Sequence, residues 1–289
     1  MTTTDHDQDQ DQDQDRDQGR DQDQGRDQDQ GRDQGRDQDQ GHDRARAHDD
    51  ALDAALDDPV GHALRGPHAH LARRLGAAAT YLPDVATFAA LPADAGPAAW
   101  ADLAALLGPG SLADLFSSSA TPPDDWEPVF SLDGLQLTLP ANRAPSQPQD
   151  DPRIVELGAA DVPDMLALVA RTRPGPFWPR THELGTYLGV RDEAGALVAL
   201  AGERLRPPGL TEISAVCTTP EARGHGQAAR LVRALAVRIE ARGELPFLHV
   251  AKDNTAALAL YERLGFEVRG PVTFRGFRTP GDERNTPQP

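Results

Sequence analysis

From Ile154 onward, apolar positions switch repeatedly between a two-residue and a three-to-four-residue period. Ile154–Leu157 predicts a short strand, and Asp161 ahead of Val162, Met165, Leu166, Leu168 and Val169 predicts a helix with an N-cap. His182–Leu188 reads as helix or strand, and Val190–Ala201 as strand, turn and strand. After the Pro207-Pro208-Gly209 turn, Glu212–Thr218 is a further strand. A glycine-rich turn then opens a helix with Leu231, Leu235 and Ile239 on one face and Val232 beside it. Phe247–Val250 is the next strand, and Asn254–Leu264 a helix ending at Gly265. Upstream, residues 51–139 are alanine-rich and weakly patterned. They predict one or two short helices within 60–76, broken near Gly66-Pro67, short strands at Ala79–Leu82 and Val85–Leu91, and a helix at Ala98–Leu107. Val129–Leu132 and Leu135–Leu139 predict a hairpin around Asp133-Gly134.

Charge changes how the ends of the chain are read. The 289 residues carry 46 acidic and 29 basic side chains, a net charge of −17. Residues 1–50 hold seventeen Asp against seven Arg, in Asp-Gln and Gly-Arg repeats. Between Met1 and Ala45 no aliphatic or aromatic side chain offsets backbone ordering, which costs about 1–2 kcal/mol per residue, so a disordered tail over 1–50 is expected. Residues 140–153, with Pro140, Pro145 and Pro148 and no large apolar residue before Ile154, are expected to be a linker. The expected organisation is a small α+β domain at 51–139, the linker, an α/β domain at 154–279, and a flexible end at 280–289.

An acidic chain is a poor nucleic-acid partner. No run approaches 18 apolar residues, and no apolar segment marks a secretory signal, so no membrane contact and a cytoplasmic location are expected. One cysteine excludes a disulfide framework and multi-cysteine metal sites. His62, His68 and His70 lack well-spaced partners and read as surface residues, and no metal site is expected. Nothing in the pattern sets an oligomeric state.

Chemistry concentrates at Pro220–Leu231, where a glycine-rich turn follows a strand and opens a helix. Gly224 and Gly226 allow close backbone approach, the first-turn N–H groups lack helical partners, and Arg223 adds charge, so an anion such as pyrophosphate is favoured. Gly224-x-Gly226-x-x-Ala229 also fits the dinucleotide fingerprint, with Phe247–Val250 as the next strand and Asp253 as the acid. The helix and meander ahead of the turn, and the lack of βα units after it, weigh against that alternative.

Arg223-Gly224-His225-Gly226-Gln227-Ala228 resembles motif A of the GNAT superfamily of N-acetyltransferases, and Asn254 through Tyr261 to Gly265-Phe266 resembles its N-x-x-A-x-x-x-Y-x-x-x-G-F signature. The resemblance covers roughly residues 154–279 and looks like acetyltransferases related to glycine N-acyltransferases, in which the first half can be a decayed second copy of the fold. It implies a GNAT-like acyl-CoA N-acyltransferase fold and acetyl transfer from acetyl-CoA to a primary amine of a small molecule or peptide, by direct attack. Val216, Cys217 and Thr218 would hold the pantetheine arm and thioester carbonyl, and Arg223, Gly224, His225, Gly226, Gln227 and Ala228 the pyrophosphate. Asn254 would contact the pantetheine side, Tyr261 would protonate the leaving thiolate, and Glu212 would be the base or hold the acceptor amine. Cys217 reads as an apolar filler rather than a nucleophile. A non-catalytic CoA-binding or regulatory module, and an interaction protein acting through the acidic tail, remain open.

Overall fold

Strands from both halves of the chain share one sheet. The computed structural model describes residues 46–140, Arg143 and 151–281. It divides at Ala51 into two units. In the first, residues 46–51 are helical, where the expected disordered tail was to run through 50; the rest of that tail lies outside the described residues.

In the second unit, residues 52–57 are helical and α1 (Pro59–Arg65) follows, its N-cap Asp58 accepting from Gly61 N. The unit continues through β1 (Ala72–Leu75), β2 (Ala78–Tyr81), β3 (Ala89–Ala90), α2 (Pro97–Leu107), β4 (Leu112–Phe116) and β5 (Glu127–Thr138). Beyond the linker follow β6 (Ile154–Leu157), α3 (Val162–Thr172), β7 (Tyr187–Arg191), β8 (Leu197–Glu203) and β9 (Leu210–Thr218). The last elements are α4 (Gln227–Ala241), β10 (Leu245–Ala251), α5 (Thr255–Arg263) and β11 (Glu267–Arg278). β1, β2 and β3 form a small antiparallel sheet. The main sheet has eight strands in the order β4-β11-β5-β10-β9-β8-β7-β6.

The hairpin expected around Asp133-Gly134 is instead the single strand β5, paired with β10 on one side and β11 on the other. Gly134 answers to packing: a Cβ there would sit 2.6 Å from the Phe274 ring. β4 and β5 thus build the same sheet as the strands that follow the linker, so 51–139 and 154–279 are not separate sheets. His68 also departs from expectation. It is buried, bonded to Tyr81 Oη at 2.9 Å and Leu184 O at 3.0 Å, and burial lowers its pKa to about 4.

β9 and β10 form the one parallel pair described in this sheet, with α4 crossing between them. Every other pairing of the sheet is antiparallel, which removes the doubly wound dinucleotide alternative. α4 buries Leu231, Val232, Leu235, Ala236 and Ile239 against Leu137, Leu188, Val190, Ile213 and Leu248. α3 buries Met165, Leu168 and Val169 in a second cluster with Tyr187 and Leu200. Both helices are held by their apolar stripes, as their periodicity predicts. No helix among the described residues is long and apolar enough to cross a membrane.

Candidate active site

The parallel pairing of β9 with β10 runs only from Leu210↔Leu245 to Glu212↔Phe247. Beyond it the two strands separate. An extra residue on β9 sets the local direction: Leu200↔Cys217 and Gly202↔Ser214 leave β9 one residue longer than β8, and Ala215 has φ 53°. Past the bulge Cys217 and Thr218 stay paired with β8 but not with β10, and Ala215–Thr218 line an open cleft on that side, a cavity of about 580 Å³.

The floor of the cleft leads to the motif A turn. Gly224 (φ 80°) and Gly226 (φ 73°) both occupy the left-handed region, which costs glycine nothing and other residues strain. Gly226 is the N-cap of α4 and supplies no side-chain cap, so the first-turn N–H groups face outward. With Arg223 and the helix dipole, this end suits a pyrophosphate. Thr218 Oγ1 is buried and unpartnered among the described residues at the start of the same path. The residues present therefore fit a CoA-type ligand.

Of the residues expected in the site, Val216, Cys217, Thr218, Arg223, Ala228, Asn254 and Tyr261 line the cavity. Gly224, His225, Gly226 and Gln227 form the adjoining turn. Asn254 spends its Oδ1 on capping α5, accepting from Ala257 N at 3.2 Å. Tyr261 is buried at the cavity wall, and burial pushes its phenol up to about 12, so it holds its proton at neutral pH. Burial also raises the Cys217 thiol, in keeping with a filler.

Glu212 is the exception. It is not among the residues lining the cavity, and it is fully buried. Arg204 holds it from Nε at 2.8 Å and from the terminal nitrogen at 2.5 Å, and His249 Nδ1 donates to it at 2.7 Å. Burial would raise its pKa, but the Arg204 charge and these bonds outweigh burial and hold it at about 2. A carboxylate engaged on both oxygens and held that low is a poor proton acceptor. Glu212 thus lies behind the cavity wall rather than on it, bonded to Arg204 and His249, both of which do line the cavity.

His249 Nε2 accepts from Gln136 Nε2 at 3.0 Å, which with the Glu212 bond assigns the Nδ1–H tautomer. Burial outweighs Glu212 and lowers its pKa, so the ring is neutral. Arg204 lies over Phe116 at 4.5 Å and Phe88 at 5.2 Å. Sequence reasoning passed over Phe88, Asp114, Phe116, Arg204, His249 and Phe274, which close the other end of the cavity. Asp114, the one acid in the otherwise apolar run Leu112–Phe116, was the available signal.

Comparison with known proteins fits this geometry. A crystal structure described as an acetyltransferase from the GNAT family of Novosphingobium aromaticivorans is 41% identical, with a TM-score of 0.69, over 77% of this chain and 97% of that one. The chain is a member of the GNAT family. Residues 187–274 of this GNAT protein also match the FR47-like protein family, a span running from β7 into β11. It is 39% identical over 111 residues to the N-alpha-acetyltransferase RimI of Mycobacterium tuberculosis (37% of this chain). It is likewise 39% identical over 88 residues to the mycothiol acetyltransferase of Brachybacterium faecium (29% of this chain). The matches span 65% and 26% of those two relatives' lengths, less than two thirds of either.

Proposed function

We propose that the protein is an acetyl-CoA-dependent N-acetyltransferase that joins an acetyl group to a primary amine by direct attack within a ternary complex. The observation that carries this is the splay of β9 from β10 at the Ala215 bulge, ending on the Gly224–Gly226 turn, with Tyr261 on the cleft wall. Membership of the GNAT family and relatives named as acetyltransferases support it. The bound thioester supplies the activated acyl group. The edge of Val216–Thr218 left unpaired by β10 would pair with the pantetheine arm and orient the thioester carbonyl. Arg223 through Ala228 receive the pyrophosphate, and Tyr261 gives its proton to the departing thiolate. Cys217 takes no covalent part. The acceptor is an amine of a small molecule or peptide, and the reaction is assigned to the cytoplasm.

Isothermal titration with acetyl-CoA tests the binding half of this assignment. Arg223→Ala removes a full charge at the pyrophosphate, and Gly226→Asp forces a left-handed acid into the anion site; both should weaken binding at least tenfold. Unchanged affinity in both variants would remove the site assignment.

A further inference from the structure

The acceptor end of the cavity is built on three neighbouring strands, β5, β11 and β4. Their registers align two cross-strand rows. Leu132 pairs with Phe274, which pairs with Phe116. One pleat further on, Phe130 pairs with Gly276, which pairs with Asp114. Alternate residues share a face, so these rows form one platform, and all but Gly276 line the cavity. Phe274 and Phe116 stack at 4.6 Å. Gly276 lets the Phe130 ring lie across it toward Asp114: a Cβ at 276 would fall inside that ring.

Asp114 is the platform's only acid and is 4% exposed. Its Oδ2 accepts from Thr87 Oγ1 at 3.3 Å, and its Oδ1 has no hydrogen-bond partner among the described residues. A buried, unpartnered carboxylate oxygen on a residue that lines a cavity is costly unless a ligand completes it. The surrounding charges do not complete it. Arg204 is engaged by Glu212 in a neutral pair, and His249 is uncharged. On β11, Arg275 turns instead to the carbonyls of Ser118 and Ala120. The acceptor end therefore has one carboxylate with no salt-bridge partner among the described residues, set among aromatic faces, a setting that favours a cation.

We propose that Asp114 is the acceptor-side catalytic residue, which binds the acceptor as a primary ammonium and takes its proton, and that this amine is carried on an aromatic or other apolar body. The proposal rests on the acetyl-transfer reading above. The ammonium completes Oδ1, and its first proton passes there. The freed amine forms the C–N bond to the acetyl carbon as the C–S bond breaks. The thiolate takes the Tyr261 proton, and the second amine proton returns to Tyr261, so one proton leaves on Asp114 when products go. Burial pushes Asp114 up to about 6, although Arg204 and Thr87 pull the other way. This keeps it ionised at neutral pH, yet a better base than an exposed carboxylate. The body of the acceptor rests on Phe130 and Leu132, two large apolar side chains left 39% and 44% exposed at the rim.

The test uses the full chain, thiol-release kinetics and three probes: phenethylamine, hexylamine and ethanolamine. Wild type should prefer the two apolar amines, with kcat/KM falling as pH drops below about 6. Asp114→Asn should lower kcat/KM about 10²–10⁴-fold and abolish that acidic limb, with acetyl-CoA affinity unchanged. Phe130→Ala should raise KM for phenethylamine and keep the limb. Asp114→Ala gives a second reading should the amide fail to fold, as judged by its melting curve. Wild-type rate and limb in an Asp114 variant would overturn the catalytic assignment, and preference for ethanolamine would overturn the apolar body. If wild type transfers to no amine, phenethylamine is titrated into the CoA-saturated protein. Binding lost in Asp114→Asn would then support the amine site while the transfer reading fails, and no binding to wild type would overturn the proposal itself.

Discussion

Replacing Glu212 with Gln should unfold the protein well before it affects any proton transfer. The carboxylate is fully buried, and its Arg204 partner is only 13% exposed. The amide keeps the shape and removes the charge, leaving the guanidinium buried and unpaired between Phe88 and Phe116. Breaking one side of such a pair costs about 3–5 kcal/mol. For a domain of this size each kcal/mol lowers Tm by about 2–4 °C, so a drop of about 6–20 °C is expected by circular dichroism. Arg204→Met alone should cost a similar amount, because Glu212 would then be the stranded charge. The double variant should recover most of the loss, since no uncompensated ion remains. The sign with pH follows from the depressed pKa. Glu212 stabilises the fold fully above its unfolded value of about 4.5 and ceases to as pH falls toward about 2. The wild-type advantage over Glu212→Gln should therefore shrink across that window. A single variant within about 1 kcal/mol of wild type, or a double variant no better than the sum of the singles, would refute a buried ion pair here.

Other expectations follow from the same geometry. Tyr261→Phe keeps the ring against Phe266 and removes the proton, so kcat should fall about 10²–10⁴-fold while Tm and acetyl-CoA affinity hold; a wild-type kcat would exclude Tyr261 as the acid. The raised pKa of Asp114 opposes folding above about 6 and ceases to below about 3.8, so Asp114→Asn should melt higher than wild type at pH 8, with the gap closing by pH 4. Leu235→Ala empties a fully buried position on α4 and should cost about 2–5 kcal/mol in urea unfolding. Deleting residues 1–45 should leave acetyl-CoA affinity unchanged by calorimetry, because the cavity is lined by residues between Phe88 and Phe274.

The readable parts of this protein are those whose causes are local. The β9–turn–α4 and β10–α5 units announce themselves through strand alternation, two left-handed glycines, the Asn254 cap and the Gly265 stop, where φ is 95°. The half of the cleft proposed for CoA lies on these units. The acceptor half depends on pairings that no short window contains. Asp114 reaches its place only when β4 pairs with β11, setting Asp114 opposite Gly276. Asp133-Gly134 carries the sequence chemistry of a hairpin turn, yet β10 and β11 extend it into one strand, and the glycine makes room for Phe274. Glu212 carried the resemblance to a base because it stands on the right strand. Arg204, eight positions back, and His249, from the neighbouring strand, turn it into the buried anchor of the cleft.

The claim that this cleft transfers acetyl groups to amines is tested most directly by supplying the full-length protein with acetyl-CoA and a panel of primary amines. Free thiol and acetylated amine are then measured together. Amine-dependent thiol release, matched mole for mole by N-acetylated product, is expected of the wild type, with its loss in the Gly226→Asp variant. Tight acetyl-CoA binding with no product from any amine would contradict it and leave a CoA-binding module without catalysis.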